Sequence, residues 1–431
     1  MIGERKLEKG VQRMASPLAG RWSTALSRMV LVVACAFPLA SPGVVSAAED
    51  DAAAAAPPYT GPLTMTDEEV AALIQRLGLT LTEKPVREMV KGWRKPKKAI
   101  VFAERSPQWI PWLRTAAPDL KIIVVDRGAP RPLTKEFLAQ VADVDIQIGG
   151  SCSKDLLAAE KKLQFIQSSH VGVEGCFTGD VPKRLLDGDV IMANQKRAYG
   201  GPIATHAIAM MLALQRGLDL YVRMNDAEQF VPTPYRLRFP QGQTMLVVGL
   251  GGLGTDVAKV AHKFDMKIIG TRNSSREKPD FVDYVGLANE LPDLIGKADV
   301  VVAAVPLTDQ TRKLFNADMF GRMKKGALFI NVARGGLVDS AALVAALKSG
   351  QVGGAGLDVT DPEPLQKGDP LWHAPNIIIT PHMSAHFSGA DDGVERLGNE
   401  TIEAWAVMRE NVRRYIAGEQ IYSIVDTKVG Y

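Results

Sequence analysis

Cysteine is scarce in this chain: three residues in 431, one of them, Cys35, near the start. The body keeps only Cys152 and Cys176, too few to make a thiolate metal site alone. In an oxidising compartment the two can pair; the expectation here is two buried free thiols. Histidine is also rare, with six residues at positions 170, 206, 262, 373, 382 and 386. Their spacing suggests no metal cluster. Excess charge is small as well. The formal net charge is +3, and residues 1–47 supply the excess, with six Lys/Arg against Glu4 and Glu8. Without them the 51 basic and 48 acidic residues become 45 and 46, a net of −1. Nothing in the body therefore suggests a nucleic-acid surface. Long apolar runs are absent too. The run "MVLVVACAFPLA" (29–40) is too short to span a bilayer comfortably.

The first 47 residues do have a pattern. A basic segment ends at Arg28, the apolar run follows, and Val45-Ser46-Ala47 places small residues where a signal peptidase requires them. Residues 1–47 are expected to be a cleaved signal peptide, with the mature chain periplasmic or secreted. A start codon placed too early, with Met14 or Met29 as the true start, would leave the protein cytoplasmic. Residues 48–97 are expected to be a spacer and helical extension. "AEDDAAAAAPPYTG" is Ala/Pro-rich. After it, Thr66 is placed to cap a helix whose first turn holds Asp67, Glu68 and Glu69, and the helical extension is expected to run to about Lys98.

Beyond residue 98 short Val/Ile runs alternate with amphipathic stretches. Runs at 99–103, 121–126, 145–149, 164–168 and 189–193 form one series. Runs at 244–249, 266–270, 299–305, 327–332, 354–359 and 376–380 form another. Continuous apolar strands separated by helices indicate parallel sheets covered on both faces. Two series predict an α/β protein with two doubly wound domains. The first is expected over 98–199 and 389–431, the second over 200–388, with a long helix near 203–217 joining them.

The second series opens with "MLVVGLGGLGTDVAKVAHKF". Gly249, Gly251 and Gly254 form G-x-G-x-x-G between a strand and a helix, with Gly252 and Leu253 between the last two. The first glycine permits a tight turn, the second lets backbone approach a pyrophosphate, and the third lets helix and strand pack closely. In this context the pattern predicts a dinucleotide site, a Rossmann domain. A residue at the end of the next strand should read the adenosine ribose. Here it is Arg272, 23 positions after Gly249. An acid there would accept from the ribose 2′-hydroxyl and repel a 2′-phosphate; an arginine does the reverse. NADP is therefore expected ahead of NAD. Thr271, Asn273, Ser274 and Ser275 add donors, and Arg276 adds charge.

"INVARGGLVDSAAL", "GAGLDVTDPEP" and "TPHMSAH" follow in order. With the glycine loop and the closing helix they resemble the NAD(P)-dependent D-2-hydroxyacid dehydrogenases, and within them the glyoxylate and hydroxypyruvate reductases. The resemblance covers roughly 98–431. It implies a flavodoxin-like substrate domain beside the Rossmann domain, hydride transfer between NAD(P)H and a small 2-oxo acid, and a homodimer. It implies Arg334 as the substrate-binding arginine, Glu363 as a carboxylate partner and His382 as the acid–base. It places Pro306 and Asp358 near the cofactor and the amides of Val171 and Gly172 on the substrate carboxylate. Asn194 stands where the family enters the cofactor domain. Thr205 replaces a glutamate common in relatives, and the adjacent His206 is read as structural. The residue types suit such a reaction. A protonated imidazole can donate to a carbonyl oxygen that gains charge, a carboxylate favours the imidazolium, and a guanidinium clamps a carboxylate. Two alternatives compete. Formate dehydrogenases of the superfamily pair the histidine with Gln, which Glu363 opposes; phosphite dehydrogenases are also relatives. Dinucleotide-sensing corepressors keep the triad, but an exported leader opposes that reading.

Overall fold

In the computed structural model the described residues are 64–103, 109–126, 134–149, 152–177, 183–230, 232, 237–385 and 401–427. All of them belong to one unit, Ala54–Tyr431. The leader and the first part of the spacer lie outside them.

The first sheet holds β1 (Lys98–Ala103), β2 (Lys121–Asp126), β3 (Ile146–Ile148), β4 (Phe165–Gln167) and β5 (Ile191–Ala193). All pair in parallel, in the order β2-β1-β3-β4-β5. This is the flavodoxin-like arrangement. The second sheet holds β6 (Thr244–Val248), β7 (Lys267–Arg272), β8 (Tyr284–Leu287), β9 (Val300–Ala303), β10 (Ala327–Asn331), β11 (Val352–Leu357) and β12 (Ile377–Ile379). Its order is β12-β11-β10-β9-β6-β7-β8, again parallel. Connections run outward from β6 in one direction and outward from β9 in the other. Their junction is the switch point at which doubly wound sheets bind ligands. Strand β8 has no counterpart among the expected runs. It is a four-residue edge strand with exposed Tyr284 and a glycine at 286, so its apolar signal is thin.

The extension departs from expectation. Thr66 caps the Asp67–Leu77 helix in a full capping box with Glu69. That helix stops at Gly78, whose φ of 60° gives a left-handed cap. A second helix is only Val86–Met89, beginning after Pro85. The segment is also not a detached arm. Val70, Leu73, Ile74, Val86 and Val90 are buried in the core of the first sheet. The Ile402–Ala417 helix returns to that same core. Its Trp405 stacks on Trp109 at 3.9 Å and its Tyr415 on Phe165 at 4.4 Å. Burying such rings is the main stabilising term, so Phe165→Ala would cost about 3–5 kcal/mol.

From β5 the chain passes through Asn194–Tyr199 into the Gly200–Arg216 helix, which packs on the Gly252–His262 helix of the second sheet. Asn194 is buried at this crossing; its backbone N–H donates to Ser423 and its side chain to the Val171 carbonyl. The two cysteines are not free thiols. Cys152 and Cys176 form a disulfide, and both are half-buried rather than buried. Their separation of 24 residues carries no pairing signal; Cys152 precedes the Lys154–Ala159 helix and Cys176 lies in the 3-10 segment Glu174–Phe177.

Candidate active site

The glycine loop joins β6 to the Gly252–His262 helix. Gly249 has φ 100°, and a Cβ there would lie 2.8 Å from the Ala304 carbonyl oxygen. A Cβ on Gly254 would lie 2.0 Å from the Gly249 carbonyl oxygen. Neither position tolerates a side chain, so these two glycines set the turn and the close helix packing. Gly251 is different: a Cβ there would meet nothing within 4 Å. Its open space beside the N–H groups of a helix terminus fits a phosphate group. Pro306 follows β9 on the loop that closes against Gly249, with its carbonyl accepting from the Thr311 hydroxyl at 2.7 Å.

At the end of β7 the expected donors divide. Thr271 is buried, and its hydroxyl accepts from the Gly249 N–H at 3.2 Å, so it braces the loop. Arg276 is committed to Glu290, the Tyr284 hydroxyl and the Val285 carbonyl. That corrects its expected role as spare positive charge. Glu290, hydrogen-bonded by Tyr284, the Leu287 N–H and Arg276, is held well below the usual carboxylate range, at about 2. Arg272 is half-buried and its side chain makes no hydrogen bond or ion pair among the described residues; its Nε is buried without an acceptor. A cation left in that condition fits an incoming anion.

The expected catalytic residues come together at the ends of β10, β11 and β12. His382 Nδ1–H donates to Glu363 Oε2 at 2.9 Å, and the other oxygen of Glu363 accepts from the Thr360 N–H at 2.9 Å. His382 itself has φ 55°, a left-handed conformation costly for a side-chain-bearing residue. Asp358 holds it there. The Asp358 carbonyl accepts from the His382 N–H, and its carboxylate accepts from the Met383 and Ser384 N–H groups and the Thr380 hydroxyl. These bonds hold the carboxyl below its ordinary range even though burial pushes the other way. Asp358 is thus a positioning residue for His382, a role the sequence did not suggest. His206 joins the cluster, with Nε2 at 2.9 Å from the Thr380 hydroxyl.

Arg334 lies on the next loop. The side chain of Asn331 donates to its carbonyl and accepts from the Ala333 N–H. Gly335 presses on Thr360, where a Cβ would lie 1.9 Å from the carbonyl oxygen, so the Arg334 loop and the Glu363 loop touch through backbone. In the first domain the Ser168 hydroxyl accepts from the His170 N–H at 3.0 Å and turns the chain. Val171 is exposed and Gly172 half-buried. Neither of their N–H groups donates to an acceptor among the described residues, so both fit an anionic ligand.

Known proteins resemble this chain. Residues 208–384 match the family described as D-isomer specific 2-hydroxyacid dehydrogenase, NAD binding domain. A glycerate dehydrogenase of Methylorubrum extorquens is 33% identical over 238 residues, 53% of this chain and 70% of that protein. A glyoxylate reductase of Pyrococcus horikoshii is 30% identical over 282 residues, 63% of this chain and 82% of that protein. Among solved structures, a D-isomer specific 2-hydroxyacid dehydrogenase of Xanthobacter autotrophicus, in complex with NADPH and MES, is 27% identical. It superposes with a TM-score of 0.63, covering 77% of this chain and 99% of that one. With its two parallel sheets, its glycine loop and the His382–Glu363 pair, this chain belongs to the D-isomer specific 2-hydroxyacid dehydrogenase family.

Proposed function

We propose that the protein is an NADPH-preferring reductase of small 2-oxo acids, of the glyoxylate and hydroxypyruvate type, with Arg334, Glu363 and His382 as its catalytic residues. The His382–Glu363 hydrogen bond beside the Arg334 loop carries this reading. NADPH, held by the glycine loop and Arg272, would supply the hydride that reduces the carbonyl carbon. The chain's own residues do the rest. Glu363 accepts only, so Nδ1 of His382 keeps its proton and Nε2 faces the reaction. In the protonated ring Nε2–H donates to the carbonyl oxygen and passes its proton there as negative charge develops. The ring is left neutral and regains a proton from solvent; the reverse direction returns the proton to Nε2. Arg334 binds the carboxylate and carbonyl of the substrate in its planar fork. The amides of Val171 and Gly172 hold the carboxylate from the other domain. The glycine loop and Arg272 hold the dinucleotide, the latter by its 2′-phosphate. Initial rates with glyoxylate, hydroxypyruvate and pyruvate test this. Turnover of at least one with NADPH is expected, and no oxidation of NADPH with any of the three would contradict it.

Two further properties belong to the same proposal. The first is a homodimer. The Leu218–Asp226 helix has no buried residue, and Leu218, Val222, Phe230 and Phe239 lie exposed on it and on the chain that follows. A second copy would cover this apolar surface. Light scattering should give twice the chain mass, and a monomer would contradict it. The second is export. What supports it is the basic–apolar–small pattern of residues 1–47 together with the pairing of the two body cysteines. N-terminal sequencing from the native cell should begin at Ala48; a chain retaining Met1 or Met14 would contradict export.

A further inference from the structure

We propose that Arg197 is a cofactor-binding residue: from the crossover between the two sheets it lays its aliphatic stem on the first turn of the Gly252–His262 helix, and its guanidinium, lying between Gly78 and Asp256, reaches the pyrophosphate of the dinucleotide. This rests on the cofactor reading above. No motif marks Arg197; its place in the fold does. Its aliphatic stem lies flat on Gly252, where a Cβ would come within 2.5 Å of Arg197 Cγ and 3.4 Å of Cδ. The stem therefore occupies the space that a side chain at the helix start would fill. From Gly249 to Thr255 the loop carries no cation of its own. A helix terminus offers N–H groups and about half a positive charge, whereas a pyrophosphate carries two negative ones.

The guanidinium is also poorly satisfied. Its one ion pair among the described residues is with Asp256, Nη2 to Oδ1 at 3.5 Å, too long for a strong charge-assisted hydrogen bond. Its Nε is buried with no acceptor. Five donors with one loose partner leave room for an anion. The backbone points the same way. Arg197 has φ 70°, a conformation that favours glycine, yet the position carries the longest cationic side chain. The N-terminal extension completes the setting. At its left-handed cap, a Cβ on Gly78 would lie 3.5 Å from Arg197 Nη1, so the end of that helix borders the guanidinium. Residues outside the recognisable domains thus border the cofactor side of the molecule.

The rival account is a purely structural ion pair. Calorimetry on the full chain separates the two, using 2′-phospho-ADP-ribose, which carries both the pyrophosphate and the 2′-phosphate, and 2′-AMP, which carries only the latter. Arg197→Met keeps the stem and removes the charge. It should weaken 2′-phospho-ADP-ribose about tenfold or more and leave 2′-AMP unchanged, with Arg197→Lys recovering part of the loss. Equal losses for both ligands, or no loss for either, would overturn the proposal. A wild-type chain that binds neither ligand would overturn the cofactor reading itself, and this inference with it. Asp256→Asn keeps the test decisive should Arg197→Met fail to fold. Freed of its loose partner, the guanidinium should bind 2′-phospho-ADP-ribose as tightly or more tightly; weaker binding would overturn the assignment.

Discussion

The two sides of the proposed substrate site are held in different ways. On the cofactor domain, the loops carrying Arg334, Glu363 and His382 are held by side-chain-to-backbone hydrogen bonds, from Asn331 beneath Arg334 and from Asp358 beneath His382. On the first domain, the segment Ser168–Val173 is held by Asn194 and, just beyond it, by a covalent bond between Cys176 and Cys152. The difference has a physical reason. The Arg334 and Glu363 loops follow β10 and β11 inside the seven-stranded sheet, whereas His382 follows β12, its half-buried edge strand, and depends on the buried Asp358 carboxylate for its position. The proposed carboxylate-binding segment follows β4, a fully buried inner strand, and runs out to half-buried Cys176, where the cross-link to Cys152 holds its far end. Reacting groups should therefore fail through single side chains, and the substrate clamp through loss of a cross-link.

The largest effect should come from the reacting side. His382→Ala removes the proton donor and should lower kcat about a hundredfold or more, while NADPH binding, read by fluorescence titration, holds; near-normal turnover would remove His382 from the mechanism. Next is the cofactor side. Arg272→Asp should shift the NADPH/NADH ratio of kcat/KM by roughly tenfold to a hundredfold toward NADH, because a charge-assisted hydrogen bond of about 1.5–3 kcal/mol is lost. An unchanged ratio would make Arg272 a bystander. The substrate clamp should respond differently. Replacing Cys152 and Cys176 together by Ser should cost about 3 kcal/mol of stability, measured by urea unfolding, and raise KM for the 2-oxo acid more than it lowers kcat. A fall in kcat with KM unchanged would erase the contrast between the two sides.

A pH-dependent effect concerns the body of the first domain. Glu160 is fully buried, with the Gln147 amide donating to its carboxylate, and burial pushes its pKa up to about 8. The folded form therefore binds a proton that the unfolded form releases near pH 4.5. Its contribution is fully present below pH 4.5 and falls by up to about 1.4 kcal/mol per pH unit until the folded group ionises near pH 8. Glu160→Gln should flatten that part of the stability–pH curve, and an unaltered slope would show that Glu160 is already ionised.

Much of this molecule was legible in its sequence, because buried parallel strands read as unbroken Val/Ile runs. Among the described residues eleven of the twelve strands fall on such runs; β8 escapes, being short, at an edge and half exposed. The helical extension was overextended because Gly78 and Pro85 sit within an otherwise helical composition and stop it. The proposed catalytic trio stands in ordered motifs, and the structure brings His382 and Glu363 together. What escaped depends on distant chain segments meeting. The disulfide, the engagement of Arg276 by Glu290, the bracing of His382 by Asp358 and the seat of Arg197 on Gly252 leave no local pattern.

The most direct test of the central claim is the initial rate of glyoxylate reduction by wild-type protein, measured with NADPH and with NADH at matched concentrations. The account predicts conversion to the 2-hydroxy acid with NADPH favoured about tenfold or more in kcat/KM. A preference for NADH, or no turnover with either cofactor, would contradict it.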